Sequence, residues 1–277
     1  MKKILVTTDY SANSKSAIRF AIQLASQGSI SLTFLHILHL SRPTTWHEET
    51  YLTYEKEEIE KDKVALDTFI NSSYEELNAT PSTHACVVEV AVVADFRIMG
   101  YAEENDMDFI CISTRGAGMF EKIIGTTTAN LINQSSVPVI AVPGTFRTEQ
   151  LTSLLYASDF TALKQEIPKV VDMARVFDAR VDLLHFSFPS EPTLDPDILN
   201  TAVKTFTDYP MTVHLKPTDL SKTLIDNIDG VIKTLNPSLV IMFTTQNLGF
   251  FHQLFSSGNS VNYCFLTSVP LLVFAKS

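Results

Sequence analysis

One feature of the chain constrains its fold more than any other: it is written twice. KKILVTTDYSANSKSAIRFAIQLASQGSISLTFLHI, beginning at Lys2, pairs with TSLLYASDFTALKQEIPKVVDMARVFDARVDLLHFS, beginning at Thr152. Each copy runs from an apolar stretch through Thr/Ser-Asp-aromatic-Ser/Thr into an amphipathic helical pattern, then into a second apolar stretch ending Leu-His-apolar. The copies also finish alike, with DFICIST and VPVIAVP in one matched by SLVIMFT and VPLLVFA in the other. Self-similarity on this scale marks a tandem duplication. It divides the 277 residues into domains at 1–145 and 150–277, with PGTFRTEQLTS as the linker. Each half is long enough to bury its own core.

Within the first half, the apolar runs at 3–7, 30–37, 85–93, 109–113 and 137–142 are too short for helices and rich in Val and Ile. Strands buried on both faces have this character. Helical patterns fall between them at 12–26, 54–78, 95–105 and 126–135, the second with charges for a solvated face. The second half repeats the scheme, with strands near 153–157, 180–186, 211–215, 238–243 and 269–274. Alternation of this kind predicts α/β architecture: two tandem doubly wound domains, each with its own five-stranded parallel sheet and right-handed crossovers.

Charge and cysteine usage narrow the function classes. With 21 basic against 31 acidic residues the net charge is −10, which disfavours nucleic acid and anionic lipid as partners. No run approaches the eighteen apolar residues of a membrane span. Asp9 interrupts the first apolar run before a signal-peptide core could be completed. Cys86, Cys111 and Cys264 are odd in number, far apart and set in apolar runs, the pattern of buried thiols in a reducing compartment. A cytoplasmic location is expected.

In such sheets ligands bind beyond the carboxyl ends of the strands, where the winding reverses. That rule brings Thr7, Thr8 and Asp9, ending the first strand, together with Ile112, Ser113, Arg115 and Gly116 at the end of the fourth. The chain has nine glycines, and Gly116, Gly118 and Gly125 fall within ten residues. Gly125, Thr126 and Thr127 then open a helix whose free N–H groups and positive dipole end favour an anion. A nucleotide with its phosphates on that helix fits the pattern. A P-loop does not, since no lysine follows Gly125, and the dinucleotide fingerprint would need glycine where Glu121 stands. A phospho-acceptor receiver would need a second acidic residue beside Asp9.

The run from Ile4 to Ser11, the LHI strand end and the glycine loop leading into GTTTANLINQSSVPVIAVP resemble a universal stress protein domain, and the duplication resembles a tandem member of that family. The family's ATP-binding pattern is G-x2-G-x9-G-[ST]; this chain reads Ser113-x2-Gly116-x8-Gly125-Thr126, with serine for the first glycine and a loop one residue short. The resemblance implies ATP or AMP, with or without Mg²⁺, bound in the first half, with Asp9 and Ile37 beside the adenosine and Gly116, Gly125, Thr126 and Thr127 at the phosphates. It also implies an intramolecular pseudo-dimer packed through the two last strands, with homodimerisation as a further option, and an unidentified protein partner. In the second half Phe243 and Gln246 occupy the first two glycine positions, and Phe250, Phe251 and Phe255 crowd the loop, so that site is expected to be filled by its own aromatics despite Asp159.

The favoured function is a non-enzymatic, nucleotide-responsive stress protein. The alternatives are a slow ATP hydrolase and a nucleotide-free scaffold that docks a partner through FFHQLF. Simpler roles stand beside the ligand roles: Asp9 and Asp159 as caps of the following helices, His36 and His185 as packed core histidines, and Trp46 as a lid or contact residue. His47, Glu48 and Glu49 have no second ligand cluster at metal spacing.

Overall fold

The computed structural model describes residues 1–114, 126–187, 189, 195–222, 224–243 and 269–274. The first half runs β1 (Lys2–Thr8), α1 (Lys15–Gln27), β2 (Ile30–Leu38), α2 (Glu48–Glu76), β3 (His84–Val90), α3 (Ala94–Glu104), β4 (Phe109–Ser113), α4 (Thr126–Gln134) and β5 (Val139–Val142). The second runs β6 (Ser153–Ala157), α5 (Leu163–Phe177), β7 (Arg180–Ser187), α6 (Pro196–Lys204), β8 (Met211–Pro217), α7 (Leu224–Leu235), β9 (Leu239–Phe243) and β10 (Leu271–Phe274). The apolar runs of the sequence are the strands, within a few residues at each end.

Side chains alternate across the strands, and the two faces collect different helices. Ile4, Val6, Leu32, Phe34 and Cys111 pack with α1, α2 and α5 on one face. Leu5, Leu35, Ile110 and Ala141 pack with α3, α4 and α7 on the other. α1 buries Ala17, Ile18, Phe20, Ala21 and Leu24, the stripe expected of a helix lying on a sheet. α2 begins at Glu48, ahead of the apolar periodicity that predicts it from 54, because its first turns are charged rather than patterned; Leu66, Ile70, Ser73 and Tyr74 are its buried residues.

Each half has parallel strands in doubly wound order, β3-β2-β1-β4-β5 and β8-β7-β6-β9-β10. The expectation that each keeps a separate sheet is corrected at the seam. β5 and β10 pair antiparallel, with Leu271 opposite Ala141, Leu272 opposite Ile140 and Val273 opposite Val139, so the halves form one ten-stranded sheet. The last strands were expected to be the packing surface, and the mode of packing is strand pairing. The reason lies in their composition: VIAV and LLVF are short, apolar and fully buried. An open edge of that kind would leave backbone N–H and C=O groups without partners, and pairing the edges removes the liability.

A second joint reinforces the seam. The Gln27 side chain accepts from the Leu151 N–H at 2.9 Å and donates to the Leu151 carbonyl at 3.4 Å. Gly28 lies so close to α5 that a Cβ there would fall 2.9 Å from Val176 Cγ1. Lys2 reaches Asp172 of α5 at 2.7 Å.

Candidate functional site

β1 pairs with β2 on one side and with β4 on the other, so the winding reverses between β1 and β4. A cleft of about 360 Å³ opens there at the carboxyl ends of the strands, within the usual size range of small-molecule sites. Seven of the residues expected at a ligand site line it: Thr7, Thr8, Asp9, Ile37, Ile112, Ser113 and Thr127. Thr126 is the first residue of α4. Arg115, Gly116 and Gly125 lie outside the described residues, as do Gly118 and Lys122. Ser11, Asn13, Ser14, His36, Ala94, Ile98, Thr114 and Thr128 also line the cleft. Sequence reasoning treats His36 as a core histidine and passes over the others, most of which are small or polar residues with no spacing signature; the turn after β1 and the start of α3 were the places to look.

The turn after β1 is built from its own side chains. Thr8 Oγ1 lies 2.8 Å from Ser14 Oγ and accepts from the Tyr10 N–H at 3.1 Å. Asp9 Oδ1 accepts from the Ser11 N–H at 3.0 Å. Tyr10 sits at φ 61°, the left-handed region that an aromatic residue enters only when its surroundings hold it there. What holds it is His36, whose ring centroid is 4.4 Å away. The His36 Nδ1 lies 2.8 Å from the Thr8 carbonyl, and since a carbonyl only accepts, that nitrogen carries the proton. The Tyr10 hydroxyl donates to Asp62 Oδ2 of α2 at 2.8 Å. Burial and the Asp62 carboxylate push the Tyr10 phenol well above its ordinary range. Burial also works to raise the Asp9 carboxyl, but hydrogen bonds from Ser11, from the Asp9 backbone and from Ser14 outweigh it and hold the group below its ordinary value.

The same turn recurs in the second half. Phe160 sits at φ 66° with its ring stacked on His185 at 4.2 Å, His185 Nδ1 lies 2.9 Å from the Ser158 carbonyl, and Asp159 Oδ1 accepts from the Thr161 N–H at 2.9 Å. His36 and His185 are therefore packed, hydrogen-bonded histidines. Asp9 and Asp159 each hold the N–H two residues on, a turn rather than a helix cap; the N-cap positions of α1 and α5 are Ser14 and Ala162, neither of which makes a side-chain cap hydrogen bond.

The cleft's far wall is β4 and α4. Ser113, at the first glycine position of the motif, turns its hydroxyl toward α1, donating to the Asn13 carbonyl at 2.6 Å and lying 2.6 Å from Ser16 Oγ. Thr128 donates to the Ser113 carbonyl at 3.4 Å, which ties the first turn of α4 to the end of β4. The described lining residues include one carboxylate, Asp9, and neither lysine nor arginine. Among the described residues no cluster of three or more His, Cys, Asp or Glu side chains could hold a metal ion. Trp46 stands on the turn before α2 with its ring edge-on to Tyr54 at 5.1 Å. Cys111 is buried and Cys86 half-buried, its thiol pushed up to about 12 by burial and by Asp67; Cys264 lies outside the described residues.

At the second switch point the strand register places Phe243 where the first half has Ser113. Its ring is buried, stacked on Phe274 at 4.8 Å and edge-on to Tyr156 at 5.8 Å. Glu166, aligned with Ser16, is buried and accepts from the Tyr156 hydroxyl. Residues 244–268, with Phe250, Phe251, Phe255 and Gly258, lie outside the described residues.

A model of the universal stress protein family matches residues 1–143. Over the whole chain the fold is similar to a universal stress protein from Archaeoglobus fulgidus, at 18% identity and a TM-score of 0.68, covering 99% of this chain and 98% of that one. A putative universal stress protein from Pseudomonas aeruginosa is similar at 13% identity and a TM-score of 0.56, covering 99% of this chain and 93% of that one. No curated protein matches the sequence. Among the described residues no helix is long and apolar enough to cross a membrane.

Proposed function

The chain belongs to the universal stress protein family, and from that premise we propose that its first half binds an adenine nucleotide, ATP or AMP, and that the protein acts as a non-enzymatic regulator. One observation carries the reading. Residues from the ends of three strands and the first turn of α4, far apart in sequence, converge on a single cleft at the switch point. The cleft has hydroxyl donors on both walls, an apolar flank from Ile37, Ile98 and Ile112, and α4 opening into it. A base and ribose suit the apolar and hydroxyl surfaces, and a phosphate suits the helix N-terminus. Nucleotide-dependent change in the second half or in a partner surface is the regulatory output this reading implies.

Efficient hydrolysis would require dense positive charge and a group that orients water. The sequence supplies only Arg115 and Lys122 near the glycine segment, too little positive charge for efficient turnover, which supports binding as the reading. Single-turnover assays with Mg²⁺ should therefore show hydrolysis slower than release; rapid turnover abolished by Asp9→Asn would make the protein an enzyme.

Native mass spectrometry and calorimetric titration with ATP and AMP test the reading, with one nucleotide per chain expected. Gly125→Val places a branched side chain where backbone must approach phosphate. It should weaken binding by about a hundredfold or more, roughly 3 kcal/mol, while circular dichroism stays unchanged. Two sites per chain would contradict the confinement to the first half, and no binding would favour the scaffold.

A further inference from the structure

The residues that precede α4 in the chain, 115–125, lie outside the described residues, so what fixes its first turn is read from the elements packed against it. Two side-chain bonds hold it among the described residues. One is Thr128 to the Ser113 carbonyl. The other joins α4 to α3: Asn130 Nδ2, on α4, donates to Asp95 Oδ2, in the first turn of α3, at 2.5 Å. Asp95 is buried, and its other oxygen accepts from the Phe96 N–H at 3.0 Å. Ala94 and Ile98 on α3 and Thr127 and Thr128 on α4, neighbours of this pair in sequence, line the cleft. A buried charged acceptor with a short hydrogen bond is among the stronger local restraints a fold can supply. In the second half the sequence lacks the carboxylate of this pair. The strand register that aligns Phe109 with Leu239 puts Ile225 at the position of Asp95.

We infer that the Asp95–Asn130 hydrogen bond is a latch that fixes the first turn of α4 for the phosphate of the nucleotide, making Asp95 and Asn130 positioning residues of the first-half site. The inference rests on the nucleotide reading above. Adenosine, whose expected contacts lie on the β1 and β2 side of the cleft at Asp9 and Ile37, has no need of the latch. AMP does. The two ligands therefore separate a positioning role from a general structural one.

The test is titration of the full chain with AMP and with adenosine, together with hydrogen exchange of the ligand-free protein. Asn130→Ala and Asp95→Ala should each weaken AMP by about tenfold and adenosine by less than about twofold. They should also speed exchange of the α4 amides that hydrogen-bond back to its first turn by about tenfold. Asp95→Asn keeps an oxygen for the Asn130 amide and should recover most of the AMP loss. Equal losses for both ligands, or no recovery with Asp95→Asn, would overturn the positioning role. Unchanged exchange in Asn130→Ala would overturn the latch even if the wild-type chain bound no nucleotide. Faster exchange with no wild-type binding of either ligand would keep the latch, overturn its role at a phosphate and sink the nucleotide reading itself.

Discussion

The two halves use the same turn and differ in what faces it. After β1 and after β6 an aspartate holds the N–H two residues on, an aromatic residue sits at positive φ, and its ring packs against a histidine, tilted in the first half and stacked in the second, that is tied to the carbonyl two residues before that aromatic. Across from that turn the first half places Ser113, Ser16 and Asn13, and the second places Phe243, Glu166 and Leu163. The turn persists where the hydroxyl wall does not. The Asp-aromatic element therefore belongs to the strand-to-helix crossover of both halves, and the end of the fourth strand is where the halves differ; on the proposed nucleotide reading, that is where binding would be gained or lost.

The largest effect expected from this comparison is at Phe243. Its ring is buried and stacked on Phe274, so Phe243→Ala should destabilise the chain by about 3–5 kcal/mol in chemical denaturation. Ser113→Ala, at the equivalent place in the first half, removes hydrogen bonds rather than core volume and should cost about 1 kcal/mol. Comparable losses at the two positions would mean that Phe243 does not fill a space that the first half leaves open.

A smaller effect is expected inside the shared turn. The Tyr10 hydroxyl reaches Asp62 on α2, whereas Phe160 has no hydroxyl and keeps the same positive φ and a ring contact with its histidine. Tyr10→Phe should therefore preserve the turn and cost about 1–2 kcal/mol, the worth of a hydrogen bond to a carboxylate. Loss of the fold in this variant would show that the hydroxyl, and not the ring stack, holds the positive φ. Unaltered stability would show that the Asp62 contact contributes nothing.

The strands and most helices were legible because a sheet buried on both faces writes each strand as an uninterrupted apolar run, as at Ile4–Val6 and Phe109–Ile112. The start of α2 was not, since Glu48 to Glu58 are solvated and obey no apolar period. The merged sheet was half legible: the apolar last strands announce a packing surface, but VIAV against LLVF can pair by edge or pack by face with the same composition. At the site, Thr7, Asp9, Ile112 and Thr127 followed from the switch-point rule. Ser14, Ala94 and Asp95 did not, because their roles come from the closeness of α1, α3 and α4, which no local pattern records.

The smallest expected effect decides what Asp9 does beyond shaping its turn. Burial raises its carboxyl, while hydrogen bonds from Ser11, its own backbone and Ser14 lower it further, so the net folded value lies below the ordinary 3.8. A carboxyl lowered on folding stabilises the native state above its unfolded pKa, and that contribution is lost as pH falls through the folded value. Asp9 is exposed at the cleft's edge, so after solvent screening the contribution is less than about 1 kcal/mol. Asp9→Asn keeps an oxygen for the Ser11 N–H and loses only the charge. Its stability deficit should be small at pH 7 and shrink as pH falls below 3.8. A deficit that widens toward acid would contradict the sign. Asp159→Asn should likewise spare its turn, whose oxygen acceptor survives. If Asp9 also contacts the adenosine, Asp9→Asn should weaken AMP binding severalfold, more than its stability loss accounts for, whereas Asp159→Asn should leave AMP untouched. Equal AMP affinity in the two variants would reduce Asp9 to the turn-forming role that Asp159 already shows is sufficient for the fold.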